Sequence, residues 1–147
     1  MDRSDEAVQL FLKGFSCSQA VFSAYCKDLG LDAQTGAMIA APFRAGMGRM
    51  GRTCGALTGA FMVLGLKFGD SIPGETEKRD RICALVQEMD EEFTTRNGSS
   101  VCNVLVGCDI SSPEQRAKAA ERGVFKTLCP KFVRDAAEIA GAIISRE

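Results

Sequence analysis

The chain has 147 residues, a formal net charge of −1 and a pI near 5.6, with seven cysteines, no histidine and no tryptophan. That length suits one domain with a sizeable core, and the missing histidine excludes Cys–His and Ser–His catalysis, His-ligated zinc and axial histidine ligation of haem. The balanced charge gives no support for nucleic-acid binding or a polybasic membrane surface, and a single tyrosine leaves few aromatic platforms for stacking.

The N-terminus carries Asp2, Asp5 and Glu6 where a signal peptide would be basic. The longest apolar run, Ala56 to Leu66, is too short to span a bilayer. A soluble cytoplasmic protein is therefore expected, without membrane insertion. Stable disulfides are not expected in that compartment, so the thiols need another explanation.

Almost every segment reads as helix. Ser4 is placed to cap a first helix through Leu12, which Gly14 ends. Ser16, with Gln19 three residues on, has the pattern of a capping box. The helix it opens carries Val21, Phe22, Tyr25 and Leu29 at helical spacing and stops at Gly30. Asp32 caps a third helix, closed by Pro42.

The stretch from Gly46 to Gly59, GMGRMGRTCGALTG, holds five glycines, two arginines and one cysteine. It reads as a glycine-rich loop entering a buried helix at Cys54, with Thr53 as N-cap and Gly69 as the stop. The helix dipole and nearby Arg49 and Arg52 are expected to favour a thiolate at Cys54. Gly46-Met-Gly48-Arg-Met-Gly51 matches the dinucleotide pattern G-x-G-x-x-G, but Pro42 just upstream argues against the strand that pattern requires. Gly55 and Gly59 share one helix face, where small residues let another backbone come close.

Ile72-Pro73-Gly74 reads as a turn. Glu75 to about Arg96 is the longest helix, with Ile82, Leu85, Val86, Met89 and Phe93 as its apolar stripe. A short helix runs from Val101 to Val106, Ser112-Pro113 starts another, and Cys129-Pro130 is read as opening the last, to about Ser145. The expectation is one all-α domain over residues 1–147, a bundle of about seven helices around the central helix that starts at Cys54.

On this map Cys17, Cys54, Cys102 and Cys129 all fall at helix N-termini, where dipoles favour thiolates. Cys26 and Cys83 read as buried packing residues, and Cys108 falls in a loop without an assigned role. The four N-terminal thiols are expected to converge on a shared site, with Arg44, Arg49 and Arg52 offsetting negative charge.

The chain also resembles the C-GCAxxG-C-C family of redox-active proteins, small single-domain chains with four characteristic cysteines. Gly14 to Val21 resembles the first cysteine segment and Gly46 to Ala60 the central motif. Cys102 with Leu105 and Gly107-Cys108-Asp109 resembles the third, and Cys129 to Val133 the fourth. The resemblance implies redox activity carried by Cys17, Cys54, Cys102 and Cys129. It also implies a partner that donates or accepts electrons. A related module in split-Soret cytochromes is associated with an iron–sulfur centre.

Three readings follow. The first is a thiol-dependent oxidoreductase, with Cys54 attacking and Cys17, Cys102 or Cys129 resolving; the absence of a C-x-x-C pair weighs against it. The second is a four-thiolate centre on the same cysteines, a [2Fe–2S] cluster before zinc, although no local ligand pair has metal spacing. The third is a non-catalytic helical binding domain with incidental cysteines. An apolar surplus in so small a helical chain leaves a homodimer open.

Overall fold

A computed structural model describes residues 2–147. Eight α-helices are found among them: α1 (Arg3–Leu12), α2 (Cys17–Cys26), α3 (Ala33–Ala40), α4 (Gly55–Phe68), α5 (Thr76–Asn97), α6 (Cys102–Val106), α7 (Pro113–Glu121) and α8 (Val124–Arg146). The only β pairing among the described residues is an isolated antiparallel bridge between Thr53 and Val101. The protein is all-α, and no helix is long and apolar enough to cross a membrane.

The centre is shared by α2 and α4, which make the most extensive helix contact. Helix α4 also packs on α5 and α8, and α2 on α1, α3 and α8. The reason lies in the small residues. A Cβ on Gly59 would stand 2.7 Å from the Ser18 carbonyl oxygen, closer than real side chains come. A Cβ on Gly55 would stand 3.3 Å from the Ser18 amide and 3.4 Å from Cys17 Cβ. Only glycine lets the two backbones meet here. Residues 55–60 are all buried as a result, whereas Leu66 and Lys67 at the far end of α4 face solvent.

Capping follows the sequence at α2 and α3. Ser16 and Gln19 close the expected capping box, and Asp32 accepts from the Thr35 amide. Three expectations need correction. Asp2, not Ser4, caps α1: its carboxylate accepts the Ser4 N–H at 2.8 Å, which leaves Ser4 buried inside the first turn. Cys54, not Thr53, is the N-cap of α4, because the Thr53–Val101 bridge holds Thr53 extended. The last helix begins at Val124, one turn and more before Cys129, because Gly123 takes φ +72° and reverses the chain there. Pro130 then sits inside the helix at the loss of one backbone hydrogen bond.

Candidate functional site: a four-thiol cavity

Cys17, Cys54, Cys102 and Cys129 line one cavity of about 220 Å³. Four separate elements carry them. Cys17 is the first residue of α2, set by the Ser16 cap. Cys54 caps α4, and Cys102 opens α6. These two are brought together by the short bridge: the Cys54 amide donates to the Ser100 carbonyl at 2.8 Å, and the Cys102 amide to the Arg52 carbonyl at 2.5 Å. Cys129 faces in from the second turn of α8, so its placement owes nothing to a helix N-terminus. All seven cysteines are free thiols.

The glycine-rich loop shapes one wall by an uncommon route. Ala45, Gly46, Met47, Gly48 and Arg49 all have positive φ, between 51° and 71°, which makes a short left-handed turn. Three of the five are not glycine, and each such residue costs about 1–2 kcal/mol. The turn is tied down by Gly48 N–H to Pro42 O at 2.7 Å and Arg52 N–H to Gly46 O at 2.9 Å. Asn103 braces the opposite side: its amide oxygen accepts the Ile110 N–H at 2.8 Å and its side chain fills the space a Cβ on Gly51 would need. Pattern matching on G-x-G-x-x-G gave no hint of this left-handed turn.

Burial dominates the electrostatics. Cys54 is pushed up to about 12 from an ordinary 9.0, first by loss of solvent; the Ala56 and Leu57 amides aimed at its sulfur pull it down without winning, although neither closes a cap hydrogen bond. Cys102 is also pushed up to about 12, by burial and then by the neighbouring thiols. The expected activation of Cys54 by the helix dipole and arginines is thus outweighed: Arg52 points to solvent and does not line the cavity. Cys17 and Cys129 behave as a neighbouring pair. The nearness of Cys129 raises Cys17 well above its ordinary value, and the nearness of Cys17 lowers Cys129 against the effect of burial. The thiolate-prone sulfur of the cavity is Cys129.

The remaining cysteines separate. Cys26 is fully buried under α3, where its sulfur occupies the space beside Gly36, and burial pushes it up to about 11. Cys83 is exposed, which corrects its expected role in packing; it lies one residue outside the Leu85, Met89, Phe93 stripe that faces the core. Cys108 is half-buried, away from the cavity wall but near enough to raise Cys102 slightly.

Four thiolates are the right donor set for a [2Fe–2S] cluster or zinc. As placed, however, no group of three or more cysteine or acidic side chains among the described residues is gathered closely enough to hold an ion. The side chains would have to close in to hold such a centre. Arg44, Arg49 and Arg116 complete the cavity wall. Arg116 was not foreseen, because α7 reads as a plain surface helix and nothing local marks the one residue whose guanidinium turns back to the Ile110 carbonyl at 3.0 Å.

A family model matches residues 15–143, so it spans all four thiol segments; its description is "putative redox-active protein (C_GCAxxG_C_C)". The chain belongs to this family. No curated protein and no solved structure matches it. Redox activity is the family's description.

Proposed function

We propose that this protein is a thiol-dependent oxidoreductase that works by thiol–disulfide exchange, with Cys129 as attacking thiolate and Cys17 as resolving thiol. The observation that carries the reading is one cavity lined by Cys17, Cys54, Cys102 and Cys129, in which Cys17 and Cys129 lie near enough to shift each other's protonation. Attack needs a thiolate, and Cys129 is the cavity sulfur whose proton is held least firmly.

The Cys129 thiolate attacks one sulfur of a disulfide. That S–S bond breaks, and the departing sulfur leaves as a thiolate with the bonding pair. Cys17 gives up its proton and attacks Cys129 Sγ in the mixed disulfide. A Cys17–Cys129 disulfide forms and the second substrate thiolate leaves. Two electrons pass from protein to substrate; the Cys17 proton goes to one departing thiolate, and the other takes its proton from solvent, which had received the one Cys129 lost on ionising. Run backward with a dithiol protein as donor, the same steps restore the reduced state. Cys54 and Cys102 are kept protonated by burial and take no part in this first exchange. A reducing compartment such as the cytoplasm suits seven free thiols.

The test is peptide mapping. Reduced protein is exposed to an excess of a small disulfide, trapped with iodoacetamide and digested. A Cys17–Cys129 cross-link as the main product supports the reading, and full alkylation of both residues overturns it. Protein purified without oxygen that carries iron and sulfide in stoichiometric amount, with visible absorption, replaces it by a cluster on the same four thiols.

A further inference from the structure

The cavity wall carries three cations that serve no structural ion pair. Arg44, Arg49 and Arg116 line it, no aspartate or glutamate does, and among the described residues none of the three arginines pairs with a carboxylate. Five arginines elsewhere, Arg3, Arg81, Arg96, Arg134 and Arg146, do hold acidic partners. Two of the three cavity arginines are pinned by one backbone carbonyl each: Arg44 Nε donates to Ala41 O at 3.1 Å, and Arg116 Nη1 to Ile110 O at 3.0 Å. A guanidinium has five donors, so each keeps several unused. Arg49 is set at the cavity by a strained φ of 65°. The same cavity has an apolar body of wall: Phe11, Leu105, Val106, Ile110, Phe125 and Phe132.

We propose that the cavity selects a small disulfide with an apolar body and an anionic end, the carboxylate, sulfonate or phosphate held by Arg44, Arg49 and Arg116 and the sulfur delivered to the cavity thiols. This rests on the exchange chemistry above and adds its substrate class. Planar guanidinium forks match such anions in a bidentate way. The apolar wall holds the body of the molecule, and the absence of acidic residues removes any competitor for the cations. The covalent step is the exchange already balanced: one S–S bond of the ligand breaks, one protein disulfide forms, and the anionic ends leave on two thiolates.

Stopped-flow exchange tests the selection. The protein carries Cys83→Ser to remove the exposed thiol, and two aromatic disulfides are compared, the dianionic dithiobis(nitrobenzoate) and the uncharged dithiodipyridine. Each rate is divided by that of a free cysteine derivative under the same conditions. The cavity is expected to favour the dianion by about tenfold or more at low salt, with the preference shrinking as salt rises. Arg49→Gln, which breaks no internal hydrogen bond, is expected to lose most of the preference, with the dianion rate falling far more than the dithiodipyridine rate; Arg49→Lys recovers part of it. Equal slowing of both disulfides would mean the arginines act on the thiols and would overturn the proposal, as would the absence of any charge preference. 4-(Methylthio)benzoate, an anionic thioether that cannot exchange with thiols, separates ligand binding from exchange by calorimetry. Arginine-dependent binding without any disulfide exchange keeps the ligand class and removes the redox reading. Exchange that ignores charge does the reverse.

Discussion

Gly59 on α4 stands so close to Ser18 on α2 that a single Cβ would come within 2.7 Å of the Ser18 carbonyl oxygen. This contact fixes how α2 and α4 lie together, and with them Cys17 and Cys54. Two effects compete when alanine replaces Gly59. Alanine gains up to about 1 kcal/mol in a helix interior. Overpacking against a backbone atom costs about 1–3 kcal/mol. Packing is expected to win, with Gly59→Ala lowering stability by about 1–2 kcal/mol and Gly59→Leu by more. Urea unfolding checks it, and a midpoint equal to or above the parent's would show that the helices can separate freely.

The buried thiols give stability a dependence on alkaline pH. Cys54 and Cys102 are pushed up to about 12 from 9.0, and Cys26 to about 11. The folded chain therefore keeps protons that the unfolded chain releases. Unfolding gains as pH climbs, so stability is flat below about pH 8 and falls between about pH 9 and 12. Tyr25, raised to about 12 by burial, acts in the same direction. Thermal melts across this range are expected to show the decline, and Cys54→Ala is expected to reduce its slope. A slope unchanged in the variant would count against a buried, protonated Cys54.

Much of this architecture could be read from the chain, because its signals are local. The Ser16–Gln19 box, the Asp32 cap, the Ser112-Pro113 start and the Gly55/Gly59 face each depend on residues within one or two turns. The four cavity cysteines were also legible, through their segments. What was missed depends on contacts distant in sequence or on burial. Whether Cys83 faces in or out turns on the rotation of α5 against α4 and α8, which one residue of phase decides. The thiolate preference passed from Cys54 to Cys129 because desolvation outweighs a helix terminus, and burial cannot be read from spacing.

Pro130 shows the same limit. A proline usually marks a helix start, yet here the helix begins at Val124 and runs through it. A proline in a helix interior costs up to about 3 kcal/mol. Its restriction of the unfolded chain returns only about 0.4–1 kcal/mol. Pro130→Ala is therefore expected to raise stability by about 1–2 kcal/mol in chemical denaturation. A fall in stability would mean that the ring itself packs to more effect than the lost hydrogen bond.

The last expectation concerns the pair at the centre of the proposed chemistry. Cys129 is lowered by its neighbour Cys17, and Cys17 is raised by the same nearness and by burial. Removing Cys17 removes the first cause and leaves burial, which raises Cys129. Alkylation by iodoacetamide follows the thiolate fraction, and mass spectrometry reads it residue by residue. In the parent protein Cys129 is expected to be the most reactive of the four cavity thiols near neutral pH, with a half-maximal rate below the ordinary cysteine value. In Cys17→Ala its profile is expected to move to higher pH and its rate near neutrality to fall. The exposed Cys83 serves as an internal reference, since its rate has no reason to change. If Cys129 and Cys83 kept their relative rates after the substitution, the two cavity sulfurs would not share a proton. The attacking role would then pass to another thiol of the same cavity.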